Sequence, residues 1–173
     1  MERTFPAPSA ATADARRLFL DYLDFYRATI EEKLTGVSEA ELRRSRLPSG
    51  WTPIELLKHL VFMEQRWLVW GFEAEPVDAP WGDRGPGDRW HVADDETLAD
   101  LLAALHRGGR RTREIVEAAE LDAIGAVGGR FGSEPGDEPP TLIWILFHVL
   151  QEYARHAGHL DIARELANGS IGE

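Results

Sequence analysis

Apolar residues recur at helical spacing in four segments of the chain, and nowhere do apolar and polar positions alternate long enough to build a strand. The first segment, residues 12–34, carries Phe19, Tyr22, Leu23, Tyr26, Ile30 and Leu34 on one stripe, and Gly36 follows as a terminator. Ser38 stands three residues before Glu41 at capping-box spacing, which predicts a turn or brief helix over 38–42. A second helix is predicted over 52–73, because Thr52-Pro53 supplies an N-cap and a first-turn proline. The third covers 95–119, with Leu98, Leu102, Leu105, Thr112, Ile115 and Val116 inward. Gly108 and Gly109 interrupt it at about 1 kcal/mol each relative to alanine, so the helix bends there or a neighbour approaches closely. The fourth helix runs over 141–167, and Gly169 ends it.

The link over 76–94 is rich in proline, glycine and aspartate, yet holds Trp81, Trp90 and His91. Unstructured loops of that length are uncommon in compact domains unless functional or disordered, and two tryptophans predict one that packs. A second glycine- and proline-rich link, 125–140, precedes the last helix. Four helices with these long links fit an all-α bundle with crossover connections, in which sites are built from side chains pointing into the core. With 173 residues and neither repeat nor low-complexity tract, one domain spanning 1–173 is expected.

Charge and composition narrow the chemistry. A net charge of −11 without a basic block argues against nucleic acid and anionic membrane as partners. The locally basic stretch 107–113 is bordered by Asp100 and Glu114 and reads as a solvated helix face. No apolar run approaches the roughly 20 residues that span a bilayer, and residues 1–6 lack the apolar core of a signal peptide, so a cytoplasmic location is expected. The chain has no cysteine, which excludes disulfides, thiolate ligands and a protein thiol nucleophile. Lys33 and Lys58 stand against a large excess of arginine, and with abundant alanine and glycine this suggests a GC-rich genome.

The fourth helix contains His148, Glu152, His156 and His159 at spacings of four, four and three. At about 100° per residue, His159 falls near ~20° from His148, Glu152 near ~40° and His156 near ~80°. Leu142, Ile145, Leu146, Val149 and Leu160 occupy roughly 60° to 160° on the same wheel. Glu152 and His156 therefore lie toward the core, and His148 and His159 at its margin. A carboxylate on an apolar face is expensive unless paired or ligated, and Glu-x-x-x-His places two metal ligands one turn apart. His59 is the best third candidate, sharing a stripe with Met63 and Trp70 bordered by Leu56, Leu60 and Trp67. Two histidines and a carboxylate leave coordination positions open, as in catalytic sites. Spacing leaves alternatives standing: a lone helical histidine is more often a hydrogen-bonded core residue, and Glu152 with His156 also fits a helical ion pair. Trp67 and Trp70 belong to the core or to a pocket wall, and His91 and His106 receive no role.

The run Leu47-Pro-Ser-Gly-Trp-Thr-Pro-Ile-Glu-Leu-Leu-Lys-His59-Leu resembles the mini-circle-type family of unknown function. So do Trp144-Ile-Leu-Phe-His148-Val-Leu-Gln-Glu152-Tyr-Ala-Arg-His156-Ala-Gly-His159-Leu-Asp161 and the ending Arg164-Glu-Leu-Ala-Asn-Gly-Ser-Ile-Gly172. That family belongs to the DinB/YfiT-like superfamily, which includes mycothiol-dependent maleylpyruvate isomerase. The resemblance implies an up-down-down-up four-helix bundle with a long crossover loop between helices 2 and 3. It further implies a divalent metal on His59, Glu152 and His156, with His148 and His159 as nearby residues able to shuttle a proton. Zinc leads as the ion, with nickel, iron(II) and manganese also compatible. Ile143 departs from relatives, which commonly carry an arginine there. The implied function is thiol-dependent transfer or isomerisation of a small electrophilic molecule, using an external thiol such as mycothiol in an actinobacterial host. A non-catalytic metal-binding or stress-response protein is the alternative. Because bundle relatives often form dimers, a homodimer is expected.

Overall fold

The structure, a computed structural model, describes residues 7–132, 134 and 136–168, the last in its backbone alone. Among these residues it is all-helical, and extended pairing is limited to isolated bridges between Arg84 and Trp90 and between Ile124 and Thr141. Helix α1, Ala15–Leu34, begins where the Asp14 side chain accepts the Arg17 amide, and Gly36 follows its end at φ 78°. The short α2, Glu39–Leu42, starts on Ser38 as its capping spacing predicts. Helix α3, Pro53–Glu64, has the full reciprocal box between Thr52 and Glu55 with proline in its first turn. Helix α4, Leu98–Ala118, is capped by Thr97, and α5 spans Leu142–Asn168. The first amides of α5 find acceptors outside the helix: Leu142 donates to Ala123 O at 2.9 Å and Ile143 to Leu121 O at 2.8 Å. Gly169, the expected terminator, lies outside the described residues.

One departure from the periodic reading is large. Gln65–Phe72 continues α3 as a π-helix, so the long helix changes pitch just after Glu64. π-turns are rare and gather at functional sites. The wider turn turns Trp67 toward α5, where its ring meets His148 at 4.2 Å. Helix α1 packs on α4 and α5, and α3 packs on the same two. Leu23, Ile30, Leu56, Leu57, Leu60, Leu105, Ile115, Ile145, Leu146 and Val149 fill the space between them.

A polar knot sits inside that core. Glu64 accepts from Arg27 of α1, Thr112 of α4 and the Tyr153 hydroxyl of α5 at 2.6 Å, so one carboxylate joins all four long helices. Gly109 explains itself here: a Cβ would meet the Arg27 guanidinium at 3.0 Å, so α4 needs a bare backbone where Arg27 crosses it. The close-approach alternative for that glycine is the one the structure adopts, and α4 runs unbroken through it.

Candidate metal centre

His59 sits in the second turn of α3, where buried Leu56, Leu60 and Met63 hold that face against the core. Glu152 and His156 lie one turn apart on α5, between the buried Val149, Tyr153 and Leu160. The three side chains converge. Glu152 Oε2 is 3.7 Å from His59 Nε2 and 3.2 Å from His156 Nε2. One ligand atom from each residue lies within 4.8 Å of the others, which makes a group that could hold a metal ion. Two imidazole nitrogens and a carboxylate form a donor set suited to a divalent transition metal.

The surroundings fix these rings. His59 turns Nδ1 toward Asp83 Oδ2 at 3.0 Å, which leaves Nε2 as the ring nitrogen that faces Glu152. Asp83 is fully buried and is itself gripped by Arg66, at 2.6 Å to Oδ1 and 3.1 Å to Oδ2. Orienting partners of this kind behind a ligating histidine set its tautomer and its basicity. The 76–94 link thus packs over the centre, as its tryptophans predict. Trp90 stacks on His59 at 4.3 Å with an interplanar angle of 21°, and its edge approaches His156 at 5.5 Å.

Electrostatics agree with the geometry. Hydrogen bonds from His156 and then His59 hold the Glu152 carboxyl far below the usual range, outweighing its burial. Burial pushes Asp83 up, but the bonds from His59 and Arg66 prevail and keep it ionised. His159 stands against the far side of His156, with Nδ1 to Nδ1 at 3.1 Å, and Trp51 lies 6.0 Å from its ring. Burial, and then the charges of His156 and Arg155, lower the His159 pKa. His148 lies apart from the three-residue group, between Trp67 and a parallel Trp144 at 5.6 Å, and burial lowers its pKa as well.

Of the five residues singled out in the sequence, His59, Glu152 and His156 come together, His159 touches His156, and His148 is one turn removed. Asp83 and Trp90 were not foreseen as parts of the centre. Their signal was the aromatic, acidic character of a loop too long to be idle, but loop residues carry no periodicity from which to read direction.

A search of curated proteins finds no match. The family model described as mycothiol-S-transferase matches residues 18–169, a span containing His59, Glu152 and His156. With most of its length inside that match, the chain belongs to the mycothiol-S-transferase family, within the DinB-like superfamily.

Proposed function

We propose that the protein is a metal-dependent transferase that joins an external low-molecular-weight thiol, mycothiol first among candidates, to a small electrophile. The reading includes an up-down-down-up arrangement of the four long helices, with the 76–94 link as the crossover. The observation that carries it is the convergence of His59, Glu152 and His156 from two helices, with their outer ring nitrogens already occupied by Asp83 and His159. A divalent ion held there, zinc first and nickel, iron(II) or manganese next, would keep a thiol ionised near neutral pH. His59 and His156 each turn Nε2 toward the Glu152 carboxylate, so the three side chains, freed of their mutual hydrogen bonds, would act together as ligands around one position. Asp83 holds the His59 ring in register, and Trp90 shields one face of it from water. His159, 3.1 Å from His156 Nδ1, is our first candidate to accept a proton through that contact. His148, one turn away between two tryptophans, is the second candidate for that role. The thiol is external because the chain has no cysteine of its own.

Incubation of zinc-loaded protein with a panel of thiols, mycothiol included, and a chromogenic electrophile tests this reading. Thioether should accumulate with mycothiol and fall to background for Glu152→Ala. A flat response across the panel would overturn the transferase reading and leave a metal-binding protein.

A further inference from the structure

Between the end of α1, the segment 36–53 and the last turns of α5 lies a recess of about 220 Å³. Leu34, Val37, Leu47, Trp51, Leu160 and Ala163 give it an apolar wall. Gly36, which turns the chain out of α1, borders it, and a Cβ there would meet nothing within 4 Å. The volume exceeds the roughly 150 Å³ that admits benzene to an apolar cavity. None of His59, Glu152 and His156 lines this recess. Trp51 stands between it and the metal centre, with its ring 6.0 Å from that of His159.

The charges around the recess do not balance. Lys33, Arg44, Arg46 and Arg164 all reach its lining, against Glu41 alone among the described carboxylates. Lys33 is paired with Asp161 of α5. Arg46 bonds Glu41 at 2.7 Å and Arg44 stands 3.6 Å from the same carboxylate, so one negative charge serves two positive ones. Arg164 has no carboxylate partner among the described residues, and its hydrogen bond from Nη1 to the Glu32 carbonyl is long at 3.5 Å. Its Nε is buried, so the terminal nitrogens are the donors left for an outside acceptor. In a chain of net charge −11, four cations thus share two carboxylates at the mouth of an apolar space.

We infer that the recess is a binding site for a short amphiphilic carboxylate. The hydrocarbon body lies against Trp51 and the leucines, where its burial is favourable. The head is held by Arg164, whose planar fork matches a carboxylate, with Arg44 and Arg46 adding positive charge. A body of about six carbons suits the volume. A bare inorganic anion would leave the apolar wall empty, and a neutral hydrocarbon would leave Arg164 unanswered. The site is separate from the metal centre and does not depend on the transferase reading.

Hexanoate carries both features, hexanamide the body without the charge, and acetate the charge without the body. Each is titrated by calorimetry into the zinc-loaded full chain at fixed pH and ionic strength. Hexanoate should bind at least about tenfold more tightly than either of the others, as a charged hydrogen-bonded head on a buried body requires. Arg164→Gln should lower hexanoate affinity about tenfold and leave hexanamide within about twofold. Ala163→Leu, which fills the recess, should abolish hexanoate binding with zinc content unchanged. Glu152→Ala should leave hexanoate binding intact. Hexanoate bound no more tightly than hexanamide or acetate would overturn the site, as would a preference that survives in Arg164→Gln. Loss of hexanoate binding in Glu152→Ala would also overturn it, by moving the carboxylate to the metal; this comparison stands even if the recess variants fold poorly.

Discussion

Glu64 and Glu152 are both carboxylates set on helix faces that point into the protein, and they are treated in opposite ways. Glu64 is surrounded by donors: the Arg27 guanidinium, the Thr112 hydroxyl and the Tyr153 hydroxyl all donate hydrogen bonds to it. Burial alone would push its carboxyl up, yet Arg27 and these bonds hold it down, and burial's pull on Arg27 is likewise outweighed by Glu64. Glu152 instead faces two imidazoles whose outer nitrogens are engaged elsewhere. Together with its oxygens the facing nitrogens make the group that could hold a metal ion. The first carboxylate is complete within the fold; the second, in the reading proposed above, takes a cation. The two are linked through α5, since Tyr153 bonds Glu64 of α3 and directly follows Glu152. Fixing Glu64 therefore also fixes the turn that presents Glu152.

The largest effect that would sharpen this contrast is on stability. Arg27→Met leaves Glu64 buried without its main counter-charge and should cost about 3–5 kcal/mol, lowering Tm by roughly 10 °C in a chain of this size. Denaturant titration measures it, and metal content per folded molecule should not change. Loss of metal in step with loss of stability would break the separation between the two carboxylates.

Next in size is Asp83→Asn. Removing the charge behind His59 should weaken zinc binding by about 10–100-fold, as loss of an orienting partner does, read by chelator competition on folded protein. Unchanged affinity would mean that Asp83 serves only to neutralise Arg66.

The smallest effect near neutral pH is titration. The folded-state pKa of Glu64 lies below its unfolded value, so its contribution to stability is fully present above the ordinary glutamate range of about 4.3 and is lost as pH falls through the folded value. Asp83 acts in the same sense from the ordinary aspartate range downward. Unfolding free energy measured between neutral and acid pH should be level at first and then decline. A rise on acidification would contradict the ionised state assigned to Glu64.

Much of the centre could be read from spacing. Glu152 and His156 fall on the core side of a helical wheel, and His59 shares a stripe with Met63, so these three could be proposed before any contact was seen. Zinc-type ligation at those residues came from family resemblance. Glu64 and Arg27 had a comparable signal that went unread: Arg27 follows Leu23 by four and precedes Ile30 by three, and Glu64 lies midway between Leu60 and Leu68. Each charge sits on an apolar stripe, but nothing local reveals that the partner is 37 positions away. The π-helix was not legible, because the contacts that accompany it are distant in sequence: the Arg130 and Ala126 amides bond the Trp70 and Phe72 carbonyls. Trp67 consequently faces His148, where a regular helix gave Trp70 equal standing.

The central claim is that His59, Glu152 and His156 form a metal centre while Glu64 is sealed by the fold. Elemental analysis of protein purified without a metal-affinity tag tests it most directly. The account predicts close to one divalent ion per chain, lost in the Glu152→Ala, His156→Ala double variant and kept in Arg27→Met. Full metal retention by the double variant, or no bound metal in the unaltered protein even after zinc loading, would contradict it.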